Sequence, residues 1–283
     1  MLKNERLLSL KNASIVYRTE LGEGRRVWSG VSLDIYKGEW IAVVGPNGSG
    51  KSTLASVLLG LNPLSQGQLQ RSSEAGTSKI RGVLQLPEAQ FLGETIAEEL
   101  DYLPQAQELT AEERRNWYAD VLAAVGLSLP PERTMATLSG GQKQLVNLAA
   151  ALAMQPEILL LDEPTAMLDP ASRIEVREAV RQAHQRGTTI VWISHRLEEV
   201  ADATRVIGFG AGKITFDGEP RSFFYGGGNG GKHQNENEIS PCVELGFDPP
   251  FAIQTAMNLL EQGITLQPLP LTMEELAEAI QCR

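Results

Sequence analysis

The 283-residue chain is poor in cysteine: Cys242 and Cys282 are its only two, and they form no CxxC pair. That excludes a disulfide framework and fits a reducing compartment. Long apolar runs are also missing. None approaches the roughly 18 residues that a membrane-spanning helix needs. Basic residues are outnumbered, 25 Lys and Arg against 35 Asp and Glu, for a formal net charge of −10, and no basic run appears. Binding to nucleic acid, which needs clustered cations to neutralise phosphates, is disfavoured. The opening stretch "MLKNERLLSLKNAS" has charges between its apolar residues and lacks a signal-peptide core. Internal repeats are not evident. These absences predict a soluble, cytoplasmic protein, one still free to dock on a membrane protein.

What is present is ordinary globular material, with 42% hydrophobic and 21% charged residues, enough for one large domain or a large and a small one. "LLSLKNASIVYR" alternates like a half-buried strand. "VWSGVSLDIYKGEWIAVVG" reads as two strands around the turn "YKGE". "WIAVV", "EILLLDEP" and "TTIVWISH" are short apolar runs of the buried type, and "RGVLQL" is a further strand. "LASVLLGL", "TAEERRNWYADVLAAVGL", "PASRIEVREAVRQAHQRG" and "RLEEVADA" read as helices, and "RVIGFGAGKITFDGEP" as a hairpin. Buried strands alternating with helices predict an α/β core with a mainly parallel sheet. The Gly- and Asn-rich stretch from Tyr225 to Glu238 has little to bury and reads as a flexible linker. Two short helices, in "PPFAIQTAMNLLEQG" and "TMEELAEAI", form a small C-terminal appendage.

Three motifs carry chemistry. "GPNGSGKST" (Gly45, Pro46, Asn47, Gly48, Ser49, Gly50, Lys51, Ser52, Thr53) is a full phosphate-loop match between a strand and a helix. Its glycines let backbone N–H groups wrap a β-phosphate. Lys51 reaches the β- and γ-oxygens, and Ser52 holds Mg²⁺. In "ILLLDEP", Asp162 ends an apolar strand where it orients Mg²⁺ through its water shell. Glu163 is placed to polarise an attacking water, a role worth roughly 10²–10⁴-fold. "LSGGQKQLVNLAAAL" brings a second glycine loop to a helix start, a natural anion site. One nucleotide does not need two such loops. The spare loop makes sense if Ser139, Gly140, Gly141 and Gln142 close over the γ-phosphate of a nucleotide held by a second subunit. Two copies arranged head-to-tail then trap two ATPs in a dry seam.

Taken together, "LSGGQKQ", "GPNGSGKST" and "ILLLDEPTAMLDP" resemble the nucleotide-binding subunits of ABC transporters, over roughly Leu7 to Pro220. The resemblance implies an α/β P-loop NTPase core, with a mainly parallel sheet, an antiparallel β subdomain and a helical signature subdomain at about 86–155. It divides the chain into an ATPase domain at 1–222, a linker at 223–240 and the appendage at 241–283. It also assigns further roles. Tyr17 matches the aromatic that stacks on adenine, against the plainer reading of a strand tyrosine. Gln85 matches the glutamine that contacts Mg²⁺ and the attacking water. His195 matches the histidine that bonds the γ-phosphate and orients the water-activating glutamate. Asp169 matches the aspartate that signals across the dimer, though it also reads as an N-cap ahead of Pro170. No role falls to His184 or His233.

The tail, "GFDPPFAIQTAMNLLEQGI…PLTMEELAEAI", and the segment "QLPEAQFLGETIAEEL", with its second glutamine Gln90, resemble the energy-coupling-factor ATPases of cobalt and vitamin importers. This implies ATP and Mg²⁺ as cofactors and a second ATPase subunit, identical or paralogous. It further implies a transmembrane coupling protein, a substrate-binding membrane protein and a place on the cytoplasmic face of the cell membrane. Glu94, Glu98 and Glu99 read either as an acidic cluster for arginines of the coupling protein or as a solvated helix face. Phe251, Ile253, Met257, Leu259 and Leu260 read either as a dimerisation element or as the appendage's own core. Two departures stand out: Leu145 where the group usually has arginine, and a long Gly/Asn linker. The competing class is a soluble ABC ATPase acting on nucleic acid or ribosomes.

Overall fold

The computed structural model describes residues 5–18, 24–71, 79–84, 91–226 and 239–281. Gln85, Gln90, His233, Cys282 and the Gly/Asn-rich stretch at 227–238 lie outside the described residues. Strand β1 (Arg6–Arg18) buries Leu7, Leu8, Leu10, Ala13 and Ile15, its alternation broken by register shifts, and β2 (Gly24–Tyr36) buries the alternate positions Val31, Leu33 and Ile35. Gly38, in the left-handed region at φ 78°, turns the chain into β3 (Trp40–Val44). Then come α1 (Lys51–Leu58), β4 (Gln66–Arg71) and β5 (Ile80–Val83). A helical stretch follows: α2 (Ile96–Asp101), α3 (Pro104–Gln107), α4 (Ala111–Ala123) and α5 (Gly140–Ala153). Next are β6 (Ile158–Asp162), α6 (Pro170–Gln185), β7 (Thr189–Ile193), β8 (Arg205–Gly210) and β9 (Lys213–Gly218). The chain closes with α7 (Pro220–Tyr225), α8 (Pro241–Glu244), α9 (Phe251–Glu261) and α10 (Met273–Gln281).

Two sheets result. One is antiparallel, in the order β2-β1-β4; the other is six-stranded, β5-β6-β7-β3-β8-β9, and parallel except for the final β8–β9 pair. This is the expected architecture. The three central strands β3, β6 and β7 are buried along their whole length because both faces of the sheet are covered there. Ile41, Val43, Leu160, Val191, Ile193 and Ile207 face α1 and the antiparallel sheet. Trp40, Ala42, Leu159, Leu161, Ile190 and Trp192 face the helical layer, including Leu100, Leu122, Val146 and Val180. The period of two thus divides one sheet between two cores.

Four local differences from expectation have clear causes. Helix α1 starts at Lys51 rather than Leu54, because the last residues of the phosphate loop are themselves its first turn. The segment Leu197–Asp202 winds as a 3₁₀ helix, bonding three residues back rather than four, as from the Glu199 N–H to the Arg196 carbonyl (3.1 Å). The boundary expected at residue 222 cuts through α7, whose Phe223 and Phe224 are fully buried in the main core, so the linker cannot begin at 223. The single turn α8 was not expected; it carries Cys242 into the same core. No helix among the described residues is long and apolar enough to cross a membrane.

Candidate functional site

Open parallel sheets bind ligands beyond the carboxyl ends of their strands. Here β3 leads into Gly45, β6 ends at Asp162 and β7 leads into Ser194 and His195. The register pairs Val43 with Ile193 and Ile193 with Asp162, so all three exits lie side by side on one edge.

The phosphate loop is held from beneath. A Cβ on Gly45 would come within 2.3 Å of the Phe209 carbonyl oxygen, so only glycine fits. Gly50 sits at φ 106°, with the Trp28 indole so close that a Cβ would lie 2.3 Å from Nε1. That indole N–H donates to the Gly50 carbonyl at 3.2 Å. Pro46, Asn47 and Gly48 form the exposed rim, while Ser49 is buried and its Oγ has no hydrogen-bond partner. Lys51 is buried, and its Nζ donates to the carbonyls of Gly45 (2.8 Å) and Pro46 (3.1 Å). Burial lowers its pKa, against the opposing pull of Glu163 and Asp162. Ser52 and Thr53 belong to the first turn of α1, whose N–H groups have no intrahelical acceptor.

Across the edge stand three titratable groups. Asp162 is buried, and burial raises its pKa; the charge of Glu163 adds to this, while the Ser52 hydroxyl bond and the charges of Lys51 and His195 oppose it. Its Oδ1 is buried without a hydrogen-bond partner. An unpartnered carboxylate oxygen beside a serine hydroxyl is a hard-oxygen donor set, which suits Mg²⁺. No group of three His, Cys, Asp or Glu among the described residues could hold a metal alone. A cation here needs phosphate oxygens and water to complete its shell, as Mg²⁺ in nucleotide sites does. Glu163 occupies the left-handed region at φ 51°, uncommon for a side-chain-bearing residue. Its N–H extends the β6–β7 ladder to the Ile193 carbonyl (2.9 Å), and its Oε1 lies 2.7 Å from His195 Nε2.

Ser139, Gly140, Gly141 and Gln142 are organised separately. Ser139 accepts from the Gln142 N–H, and Gln142 Oε1 accepts from the Ser139 N–H, a reciprocal capping box on α5. Gly141 lies against α6, where a Cβ would meet Ser172 Oγ at 2.3 Å. Ser172 in turn donates to Asp169 Oδ2 (2.6 Å), and Asp169 caps α6 through the N–H groups of Ala171 and Ser172. These bonds, the Ser172 hydroxyl first, hold the Asp169 carboxyl below its ordinary range. No hydrogen bond among the described residues joins this group to residues 45–53. The Tyr17 hydroxyl accepts from Asn62 Nδ2 (2.8 Å) and its ring is partly exposed. Gln85, two residues beyond Val83 in the sequence, lies outside the described residues.

The ABC transporter family model matches residues 28–166. The energy-coupling factor transporter ATP-binding protein EcfA1 of Symbiobacterium thermophilum is 38% identical over 95% of both chains. EcfA1 of Bacillus subtilis is 35% identical over 99% of this chain and 98% of its own. The chain belongs to the energy-coupling factor transporter ATP-binding proteins. Among solved structures, cbiO1 from Clostridium perfringens, part of the ABC transporter complex cbiONQ, aligns with a TM-score of 0.68 at 27% identity, covering 78% of this chain and 91% of its own. The dimeric cassette MJ0796, bound to ADP and Pi in a post-hydrolysis state, aligns at 0.66 and 27% identity over 77% and 100%. As a member of this ATPase family the chain is an ATP hydrolase. The alternative of a soluble ATPase acting on nucleic acid or ribosomes is not favoured.

Within this energy-coupling factor ATPase, Glu98 and Glu99 each have a local partner. Glu99 Oε2 accepts from the N–H groups of Leu92 and Gly93, and Glu98 Oε2 from that of Glu94. Leu145 is buried in the α5–α6 seam and lines a cavity of about 380 Å³ with Glu175 and Glu178. Several side chains that build the site carry no sequence signal: Trp28 under Gly50, Ser172 against Gly141, and the buried pair Thr165 and Glu199.

Proposed function

We propose that this ATPase drives uptake of a micronutrient, a vitamin or transition-metal ion, through a membrane complex, from the cytoplasmic face of the cell membrane. The observation that carries the hydrolytic mechanism is the 2.7 Å contact between Glu163 and His195, at the same sheet edge as the Lys51 loop. The loop amides of Gly45–Thr53 and Lys51 bind the β- and γ-phosphates of ATP, and Tyr17 stacks on the adenine. Ser52, Asp162 and Gln85 hold Mg²⁺, which when bound neutralises charge on those phosphate oxygens. Glu163 orients the attacking water and takes up its proton. His195 fixes the Glu163 carboxylate and bonds the γ-phosphate.

The exposed Ser139–Gly140 turn supplies its N–H groups to the nucleotide of a second subunit, identical or paralogous, paired head-to-tail. Asp169, fastened to Ser172 and so to Gly141, carries the state of one site toward the other. A transmembrane coupling protein and a substrate-binding membrane protein complete the assembly; the dimeric relative MJ0796 and the cbiONQ membership of cbiO1 support this arrangement. Replacing Glu163 with Gln keeps the shape and removes the base. Hydrolysis is expected to fall on the order of 10²–10⁴-fold, with ATP still bound in an equilibrium binding assay. Hydrolysis at the wild-type rate would refute the assignment.

A further inference from the structure

Glu199 is a buried carboxylate to which the mechanism above gives no part. Its side chain is 4% exposed, on the 3₁₀ turn that follows β7. An ionised group so placed is costly unless its oxygens are satisfied. Here they are: Oε1 accepts from Thr165 Oγ1 at 2.6 Å, and Oε2 accepts from Ser194 Oγ at 2.6 Å and Trp192 Nε1 at 3.0 Å. The Arg196 guanidinium lies 3.9 Å away.

The origin of those donors matters more than their number. Thr165 sits two residues beyond Glu163, in the turn closed by Ala166 N–H to the Glu163 carbonyl. Ser194 immediately precedes His195, and its hydroxyl also accepts from the Arg196 N–H at 2.9 Å. The β6–β7 ladder ends with the Glu163 N–H on the Ile193 carbonyl. Past that point Glu199 ties the two exit loops together, with one oxygen on each.

We infer that Glu199 is a positioning residue for hydrolysis: its carboxylate clamps the loop after β6 to the loop after β7 and so sets the Glu163–His195 contact. Glu163 holds an uncommon left-handed backbone at this junction, and only a constrained turn keeps it there. Glu199 is buried, and its oxygens are taken up by Thr165, Trp192 and Ser194 rather than offered to a ligand. Loosening it therefore degrades the alignment of the base without removing a binding contact, and small misplacements of catalytic groups cost up to about 10²-fold in rate.

This inference rests on the assignment of Glu163 and His195 to hydrolysis. The experiment therefore measures Glu163→Gln, His195→Ala and Glu199→Gln in parallel, in full-length protein, following kcat, KM for ATP and thermal midpoint. Glu199→Gln conserves volume but offers one acceptor oxygen where two are used. The expected result is a fall in kcat of about tenfold or more, with KM within about twofold. Wild-type kcat in Glu199→Gln, with Glu163→Gln inactive, overturns the clamp and leaves the active site standing. Unchanged rates in Glu163→Gln and His195→Ala overturn the active site itself. Should Glu199→Gln not fold, Thr165→Val and Ser194→Ala each cut one tie. A several-fold loss of kcat at constant KM in both supports the clamp; wild-type rates in both, or losses that follow KM, reject it.

Discussion

Asp162 shows how a residue can be expensive to the fold and still be the one proposed for the chemistry. Its folded pKa is raised, chiefly by burial. For an acid this means that the protonated form is favoured in the native state. The stabilisation is complete below the unfolded pKa and is lost as pH rises through the folded one. At neutral pH the ionised group is a net cost to metal-free protein. Asp162→Asn is expected to raise the thermal midpoint of metal- and nucleotide-free protein at pH 7. The gap should close as pH is lowered through the folded pKa. Mg²⁺ and ATP together should stabilise wild type and much less the variant, reversing the order. Equal midpoints at pH 7, or equal stabilisation by Mg²⁺ and ATP, would count against the assignment. The motif residues were legible in the sequence because their chemistry demands fixed spacing. Glu199 was not. In "RLEEVADA" it looks like one of two solvated acids, and only the fold brings Thr165, Trp192 and Ser194 to it.

Among the elements, two helices share one local design and are proposed to differ in use. Thr110 and Glu113 form a capping box on α4, as Ser139 and Gln142 do on α5. Each cap satisfies otherwise unpaired N–H groups, and alanine at either position costs about 1 kcal/mol. The two substitutions should therefore lower thermal stability by similar small amounts. Only Ser139→Ala should also reduce ATP turnover, because that turn alone is assigned to a second subunit's γ-phosphate. Equal, wild-type turnover in both variants would reduce Ser139 to a helix cap. The strands were the most readable elements: "WIAVV", "ILLLD" and "TIVWI" are apolar throughout because helices or a second sheet cover both faces. Helix ends were less readable. The start of α1 within the phosphate loop and the 3₁₀ geometry at 197–202 depend on tertiary packing that no periodicity encodes.

At the scale of the whole molecule, the C-terminal segment is less separate than its composition suggests. The glycine- and asparagine-rich run at 227–238 marks a break in the sequence, and the break made the following helices look like an appendage. In the fold, Cys242, Ile253 and Leu271 are buried in the same core as Phe223 and Phe224 of α7. The Arg221 guanidinium donates to the Leu269 carbonyl and pairs with Glu275, and the Tyr225 hydroxyl donates to the Pro270 carbonyl. Only a small satellite cluster, Ala256, Leu266 and Leu276, belongs to the segment itself. Fully burying a side chain such as Ile or Leu contributes roughly 1.5–3 kcal/mol. Removing 239–283 thus forfeits several kcal/mol and bares Phe223 and Phe224, against a total stability on the order of 5–15 kcal/mol. A chain ending at Gly226 is expected to melt about 10 °C or more below the full protein. Because the lost contacts are internal, the difference should persist when both proteins are diluted well below any dimerisation constant. A deficit that vanished on dilution would show instead that the segment stabilises by joining two subunits, and the exposed Phe251 on α9 would then be the first residue to test as its contact.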